Sequence, residues 1–272
     1  MGGKRVRTEK SIYIPRELES FRNQIESSLV DSIWITPTEG YLSLTDSKFA
    51  GYPYLPKSHL YPKDSNDEYM PLLAQINFSD LPINPLFPSK GLLQFFVSNK
   101  FSYPIGKKEE LLFQQDFKVR YFTTILEKNQ LTEDFSHLMM NRGFPIQKEM
   151  KLEFHKMSEP VSATDYRREK FLHPEELKDE FHSDVGQTFE GLYLENYLAA
   201  EHKLGGYPYF VDCDTRKNSA FLKKFDLLLF QIVSNDEQGI MYGDSGIIKF
   251  FINQHALRSL DFSSVYFIAE QF

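Results

Sequence analysis

The first pattern along the chain is a set of apolar residues at helical spacing near the N-terminus. In "IPRELESFRNQIESSL", Leu18, Phe21, Ile25 and Leu29 recur every three or four residues, after Pro15 in a helix-starting position. Residues at this spacing share one face of a helix. The segment therefore predicts an amphipathic N-terminal helix.

Shorter apolar runs follow, and they have the character of β-strands. "DSIWITPTEG" alternates, with Ile33 and Ile35 on one face and Trp34, the only tryptophan, on the other. "LLAQINF" and "GLLQFFVS" are apolar almost throughout, which is typical of strands covered on both faces. "DFKVRYFTTI" is a further candidate strand. Prolines from Pro53 to Pro88 mark turns and edges between these strands.

The pattern changes in the centre of the chain. "LTEDFSHLMM", "ATDYRREKFL", "HPEELKDEFHS" and "GQTFEGLYLENYLAAEHKLGG" predict helices or helical turns. Thr188 is placed to cap the last of them, and Gly205–Gly206 to end it. The sequence therefore predicts a helical insert over residues 127–202.

Four motifs occur twice in the same order, which predicts an internal duplication. "GYPY" occurs twice, "LLAQI" is answered by "LLFQI", "GLLQFFV" by "GIIKFFI" and "DFKVRYF" by "DFSSVYF". The offsets are 155 for Gly51 and Gly206, 156 for Gln75 and Gln231, 155 for Gly91 and Gly246, and 145 for Asp116 and Asp261. Because a solenoid needs several short repeats, two distant copies indicate two related halves about a pseudo-twofold axis.

These elements together predict an α+β protein. It has internally duplicated β-rich halves with mixed or antiparallel sheets, an N-terminal helix and a helical middle segment. We expect one compact two-lobed domain over residues 1–272, with repeats at about 48–122 and 203–267. The glutamines inside the apolar strands of the repeats, Gln75 and Gln231, need hydrogen-bond partners, and each amide is suited to tie its strand to a neighbouring loop.

Charge and cysteine content narrow the possible partners and location. The 272 residues carry a formal net charge of −7, whereas binding to nucleic acid needs a basic field. No apolar run approaches the ~20 residues of a membrane span, and "MGGKRVRTEK" lacks the apolar core of a secretory signal. The single cysteine, Cys213, excludes an intramolecular disulfide and fits a reducing cytoplasm. We expect a cytoplasmic protein that binds neither nucleic acid nor membranes, while the oligomeric state stays open.

The repeated motifs also carry a resemblance to a known family. "GGYPYF", "PLLAQINFSDLP", "GLLQFFV", "LLLFQIVSND", "YGDSGIIKFFI" and "LRSLDFSSVYF" are similar to the bacterial YwqG-like family, a domain of unknown function. The chain departs from the family at Ala50, where a second glycine is common, and at Tyr242, where tryptophan is common. The resemblance implies a soluble α+β protein and brings no established activity. Its association with bacterial toxin–immunity gene neighbourhoods points to protein binding.

Three motifs suggest chemistry but have simpler interpretations. "GDSG" from Gly243 resembles a serine-protease nucleophile segment, yet no matching histidine segment lies upstream, so a turn is favoured. "FVDCDT" from Phe210 resembles a phosphotransfer motif, but Thr215 stands one place early. His173 and His182 lie nine residues apart, not the four that would put both on one helix face for zinc. No metal or cofactor is therefore predicted.

The aromatic loops leave two interpretations open. Tyrosines of both copies, with Tyr61, could line a groove for a peptide or a sugar, or they could pack into the core. If a site exists, we expect it at the seam, the boundary between the two repeats, because binding sites favour such boundaries. The candidate ligand- or partner-binding residues are Tyr52, Tyr54, Gln75, Tyr207, Tyr209, Gln231 and Asp244.

The first functional hypothesis is a bacterial protein-binding module of the immunity type, because no catalytic constellation is visible. The rival hypothesis is a hydrolase-type enzyme with an unrecognised site at the seam, and no catalytic residue can be named for it. A protein partner is thus the expected ligand.

Overall fold

The computed structural model describes residues 12–99, 114–138, 144–182 and 187–271. Within these ranges ten strands form one sheet and two form a short hairpin. The strands are β1 Val30–Thr38, β2 Lys48–Phe49, β3 Leu72–Asn77, β4 Leu92–Val97, β5 Phe117–Phe122, β6 Met150–Glu159, β7 Glu180–His182, β8 Gln187–Thr188, β9 Lys203–Gly205, β10 Leu227–Val233, β11 Gly246–Ile252 and β12 Val265–Gln271.

Neighbouring strands of the large sheet are antiparallel throughout. Their order is β12-β11-β10-β9-β1-β6-β2-β3-β4-β5. The central pair β1 and β6 runs in register from Val30 opposite Glu159 to Thr38 opposite Lys151. We call β2 to β5 the first flank and β9 to β12 the second flank, and each flank lies on one side of the central pair.

The sheet curls until its two flanks face each other, as in a nearly closed barrel. Phe95 of β4 lies 4.8 Å, centroid to centroid, from both Phe230 of β10 and Phe250 of β11. Phe117 of β5 stacks on Phe267 of β12 at 4.9 Å. Because all five rings are buried, the interior between the flanks is an apolar core. The predicted strands "LLAQINF" and "GLLQFFVS" are confirmed as strands covered on both faces.

The predicted α+β fold class is wrong, because the protein is mostly an antiparallel β-sheet with 20% helix. The longest helix in the described ranges has eight residues. The α-helices are α1 Arg22–Ser27, α2 Pro174–Leu177, α3 Phe189–Asn196 and α4 Gln254–Arg258. The 3₁₀ helices are Arg16–Phe21, Phe78–Asp80, Lys128–Gln130, Tyr166–Lys170, Leu222–Lys224 and Asp236–Gln238.

The predicted helical insert over residues 127–202 is wrong chiefly because a central strand of the sheet, β6, occupies part of it. β6 spans ten residues of the expected insert. Its first half alternates with period two, since Met150 and Leu152 are buried while Lys151 and Glu153 are exposed. Thr188 does cap α3, accepting a hydrogen bond from the Gly191 amide, but the chain then enters β9 rather than continuing as helix.

The N-terminal amphipathic pattern also forms something shorter than the expected helix. Leu18, Phe21 and Ile25 are buried, as their spacing predicts. The segment is divided, however, into the 3₁₀ helix Arg16–Phe21 and α1, each of six residues. The chain leaves the helix at Ser28 because β1 begins two residues later.

The short helices gather into a layer that covers part of the second flank. We call this layer the helical cap, and it consists of residues 16–27, 161–177 and 189–197. Its apolar side chains form a separate buried cluster that includes Leu18, Ile25, Tyr193 and also Tyr207. The second Gly-Tyr-Pro-Tyr loop is therefore packed beneath polypeptide of the same chain.

Candidate functional site

A buried lysine anchors the first Gly-Tyr-Pro-Tyr loop. The Lys48 ammonium donates hydrogen bonds to Glu149 Oε1 at 2.7 Å and to the Tyr52 carbonyl at 3.1 Å. Gly51 has a φ of +76°, and a Cβ built there would overlap the Glu149 carboxylate. Glycine is therefore required at this point, because a side chain would be strained and would displace the lysine's partner.

The second loop is built in the same way. The Lys203 ammonium donates to both oxygens of Glu159, at 2.8 and 3.0 Å, and the Tyr207 amide donates to Glu159 Oε1 at 2.7 Å. Gly206 has a φ of +71°, and a Cβ there would overlap the Glu159 carboxylate. Glu159 ends β6 and Glu149 immediately precedes it, so the two ends of one central strand hold the two loops.

Behind the first loop, a buried glutamine binds strand and loop together as predicted. Gln75 Oε1 accepts a hydrogen bond from the Tyr54 amide at 2.8 Å. Gln75 Nε2 donates to the carbonyls of Leu44 and Asp46, both at 2.9 Å. Gln94 Nε2 donates to the Tyr54 carbonyl at 2.7 Å.

The second flank repeats this arrangement with one change of residue type. Gln231 Oε1 accepts from the Tyr209 amide at 2.9 Å, and Nε2 donates to the carbonyls of Ala199 and Glu201 at 2.9 Å. Lys249 stands where the first flank has Gln94, and its ammonium donates a hydrogen bond to the Tyr209 carbonyl at 2.6 Å. Matched contacts of this kind are expected of a duplicated chain. The internal duplication and the two-lobed division themselves stay predictions.

The two loops differ in what covers their first tyrosine. Tyr207 is 4% exposed, and its hydroxyl donates at 2.7 Å to the carbonyl of Ser28, the residue that follows α1 of the helical cap. Tyr52 is 52% exposed. One face of its ring stacks on Phe135, with centroids 5.0 Å apart and planes at 11°. The tyrosine at the same place in the motif is thus covered in the second loop and half exposed in the first.

A pocket of about 610 Å³ opens beside Tyr52. We call it the tyrosine pocket. Its lining is mainly aromatic and aliphatic, which is typical of ligand pockets. The residues that line it are Ala50, Gly51, Tyr52, Tyr61, Glu68, Tyr69, Met70, Pro71, Leu72, Asn99, His137, Leu138, Phe144, Ile146 and Glu149.

Two pairs of rings in the pocket wall meet close to right angles, and both include Tyr61. Tyr61 lies at 87° to Tyr69 and at 89° to His137, with centroids 5.6 and 6.1 Å apart. Tyr69 and His137 lie 4.8 Å apart at 65°. Burial raises the pKa of the Tyr61 hydroxyl, against an opposing effect of Arg120, so this hydroxyl stays protonated at neutral pH. The rings present both π faces and polar edges to the pocket.

The charged groups in the described lining of the pocket are hydrogen-bond acceptors. Glu149 is 37% exposed and faces the pocket while it pairs with Lys48. Asn99 Oδ1 is buried and has no hydrogen-bond partner. The charged side chains among the described lining residues are the two carboxylates Glu68 and Glu149, with no lysine or arginine. The pocket is therefore suited to a ligand that brings hydrogen-bond donors.

The structure does not bring the seven predicted site residues together. Tyr52 lines the pocket, and Tyr54 and Gln75 lie buried behind its loop. Tyr209 and Gln231 join in the second flank, Tyr207 lies under the helical cap, and Asp244 is exposed in the bend before β11. The seam where they were expected to converge is filled by the aromatic core.

Sequence reasoning missed most of the pocket. Tyr61 was a groove candidate, but Tyr69, Asn99, His137 and Glu149 were not. A usable signal was the recurrence of tyrosine through residues 52–69. The histidine and the glutamate come from distant segments and carry no local mark.

The motifs that suggested chemistry have structural roles. Gly243 lies in a bend that leads directly into β11, so the turn interpretation of "GDSG" is confirmed. In "FVDCDT", Asp214 is buried and paired with Arg216 at 2.7 Å, while Cys213 is exposed. Across the described ranges, no group of three His, Cys, Asp or Glu side chains is arranged to hold a metal ion. His173 heads α2, and the absence of a metal or cofactor stays a prediction.

No helix within the described residues has the length and apolar character needed to cross a bilayer.

Comparison with known proteins places the chain in a family. No curated protein matches the chain. A family model described as a domain of unknown function, DUF1963, matches residues 47–270. That match confirms the expected relation to a family without known function, whereas the YwqG-like name stays a prediction. Since the match covers most of the chain, including both Gly-Tyr-Pro-Tyr loops and every described residue that lines the tyrosine pocket, the chain belongs to the DUF1963 family.

Proposed function

We propose that this protein is an interaction module that holds a segment of a partner protein in the tyrosine pocket. The observation that carries the proposal is the difference in cover between the two equivalent loops. Tyr207 lies under the helical cap, whereas Tyr52 is half exposed at the rim of a pocket of about 610 Å³. A partner segment at Tyr52 would play the part that the cap plays at Tyr207.

The helical cap indicates what kind of cover the loop accepts. At Tyr207 the cover is polypeptide, with apolar side chains around the ring and a backbone carbonyl, that of Ser28, accepting from the hydroxyl. The tyrosine pocket offers rings of the same kind in Tyr52, Tyr61 and Tyr69. Tyrosine is enriched where proteins meet, because its ring buries apolar area while its hydroxyl keeps a partner.

The rival hydrolase hypothesis has less support. Its site was expected at the seam, where Phe95, Phe230 and Phe250 fill the space between the flanks. The described lining residues of the tyrosine pocket include no serine, threonine or cysteine to act as a nucleophile. A bacterial, cytoplasmic, immunity-type role belongs to the proposal, supported by the single cysteine Cys213 and by the family resemblance.

The test is a selection of peptides on the full chain. A displayed library of random peptides is enriched on the immobilised protein, and the leading peptide is synthesised and titrated by calorimetry. We expect Tyr52→Ala and Tyr69→Ala each to weaken binding about tenfold or more, because buried aromatic anchors at interfaces are worth at least ~1.4 kcal/mol.

A matched control comes from a tyrosine elsewhere on the surface. Tyr41 is fully exposed and does not line the pocket, so Tyr41→Ala should bind the peptide as the parent chain does. The proposal is contradicted if the selection yields no binding peptide. It is equally contradicted if the selected peptide binds Tyr52→Ala and Tyr69→Ala with unchanged affinity.

A further inference from the structure

The helical cap places an arginine on the tyrosine of the second loop. Arg167 Cζ lies 4.7 Å from the centroid of the Tyr207 ring. Arg167 Nε and Nη2 donate to the two carboxylate oxygens of Asp165, at 2.8 and 2.6 Å. One of the two Gly-Tyr-Pro-Tyr loops is thus covered by a guanidinium that stacks on its tyrosine while a carboxylate holds the guanidinium edge.

The first loop offers a matching ring on which no described cation is stacked. Tyr52 precedes Tyr207 by 155 residues and occupies the same place in its loop, but its ring is open. Lys48, whose ammonium reaches this loop, is buried beneath it and paired with Glu149. No lysine or arginine is found among the described residues that line the pocket. Within the described part of the chain, no cation takes at Tyr52 the place that Arg167 fills at Tyr207.

Acceptors for a guanidinium are already in the pocket wall. Glu149 accepts one hydrogen bond from Lys48, and a carboxylate has about four acceptor sites. Asn99 Oδ1 is a buried acceptor without a partner. A buried acceptor left unpaired is costly, so a ligand that brings N–H donors gains from satisfying it. The pocket therefore combines a free aromatic face, a carboxylate and an amide oxygen.

We propose that the tyrosine pocket takes an arginine side chain of the partner segment, stacked on Tyr52 and hydrogen-bonded to the acceptors of the pocket wall. The inference deepens the proposed function and rests on it. It commits the partner to a basic residue whose neighbours are apolar, because much of the remaining pocket wall, including Met70, Pro71 and Ile146, is apolar.

Arginine fits these groups better than lysine does. A guanidinium is planar, stacks on aromatic rings and presents five donors, whereas an ammonium is a compact and strongly hydrated charge. The net charge of −7 favours the approach of a basic segment in general, so it does not distinguish the two residues. The distinction comes from the ring and the spread of acceptors.

The test uses the peptide selected on the full chain. We expect that peptide to contain arginine, and replacing this arginine with citrulline, its neutral isostere, to weaken binding about tenfold or more. Replacement with lysine should weaken binding less than citrulline does, but measurably. Equal affinities of the arginine and citrulline peptides, or of the arginine and lysine peptides, would overturn the inference.

Variants at Tyr52 locate the effect on the ring. Tyr52→Phe keeps the π face and should keep the preference for arginine over citrulline. Tyr52→Leu keeps apolar bulk without a π face, and the preference should shrink several-fold. Tyr52 is half exposed, so both variants should fold.

The two proposals fail in different ways. If the selected peptide needs Tyr69 for binding but contains no arginine, the arginine inference is overturned and the interaction module stands. If no peptide depends on Tyr52 or Tyr69, both are overturned. A peptide that contains arginine but keeps its preference in Tyr52→Leu also overturns the stacking on Tyr52.

Discussion

The carboxylate of Glu159 is the centre of the hydrogen bonds that hold the second loop. It accepts five hydrogen bonds: two from Lys203, and one each from the Ser32 hydroxyl, the Trp34 indole and the Tyr207 amide. The change Glu159→Gln replaces one acceptor oxygen with an NH₂ donor. That donor would face other donors, since both carboxylate oxygens are used.

The expected loss follows from burial. Lys203 is fully buried and the Glu159 side chain is 7% exposed. Removing one partner of such a pair leaves an uncompensated charge and costs about 3–5 kcal/mol of unfolding free energy. The matched control is Glu149→Gln in the first loop. Glu149 is 37% exposed, so water reaches it, and the glutamine oxygen can still accept from Lys48. Because the Lys48 side chain itself is only 2% exposed, we expect a smaller but measurable loss of about 1–2 kcal/mol.

Urea unfolding measures both losses. Trp34, the only tryptophan, reports through its fluorescence, and circular dichroism serves as the second probe because Trp34 contacts Glu159 directly. The double variant Lys203→Met with Glu159→Gln should regain part of the stability lost by Glu159→Gln alone. Equal losses in Glu159→Gln and Glu149→Gln would refute the reasoning that burial of the pair sets its cost.

Three further predictions concern the same framework. Gln231→Met should cost about 2–4 kcal/mol in urea unfolding, because it leaves the Tyr209 amide and two carbonyls without partners; a loss under about 1 kcal/mol would mean that water replaces the amide. Burial lowers the pKa of His202 to about 4, against the opposing effect of its hydrogen bond with Gln238. As the pH falls, this histidine is therefore protonated in the unfolded chain before it is protonated in the folded chain. Stability should therefore fall by about 3 kcal/mol between pH 6.5 and 4, and His202→Asn should remove that part of the slope. Gly51→Ala should lower the melting temperature more than Gly239→Ala, since both have positive φ but only at Gly51 does a Cβ meet a neighbour.

The strands and their internal ties were predictable because they are local. Runs such as "GLLQFFVS" and "GIIKFFI" leave a helix no polar face, and both are buried strands. A glutamine inside an apolar run has to find partners nearby, and both Gln75 and Gln231 bind loops of their own flank. The structure follows these local rules closely.

The fold class was not predictable in the same way, because tertiary contacts overrode local preference. "HPEELKDEFHS" is rich in good helix formers, yet only Pro174–Leu177 is α-helical and Glu180–His182 is a strand. β6 holds the centre of the sheet through its pairing with β1, a partner more than a hundred residues earlier. Its alternation is clear only in its first half.

The pocket depends on still longer-range effects. Tyr52 and Tyr207 have the same local sequence, Gly-Tyr-Pro-Tyr, so no local pattern states which of them is covered. The difference arises because the helical cap packs on the second loop alone. Glu149 reaches the pocket only because it precedes the central strand β6.

The central claim is that a partner segment occupies the tyrosine pocket. The most direct measurement is photo-crosslinking of the selected peptide to the 272-residue protein that carries p-benzoylphenylalanine in place of Tyr69, with the same replacement at Tyr41 as the reference. We expect the peptide to crosslink at Tyr69 and to remain free at Tyr41. Crosslinking at Tyr41 with none at Tyr69 would contradict the claim.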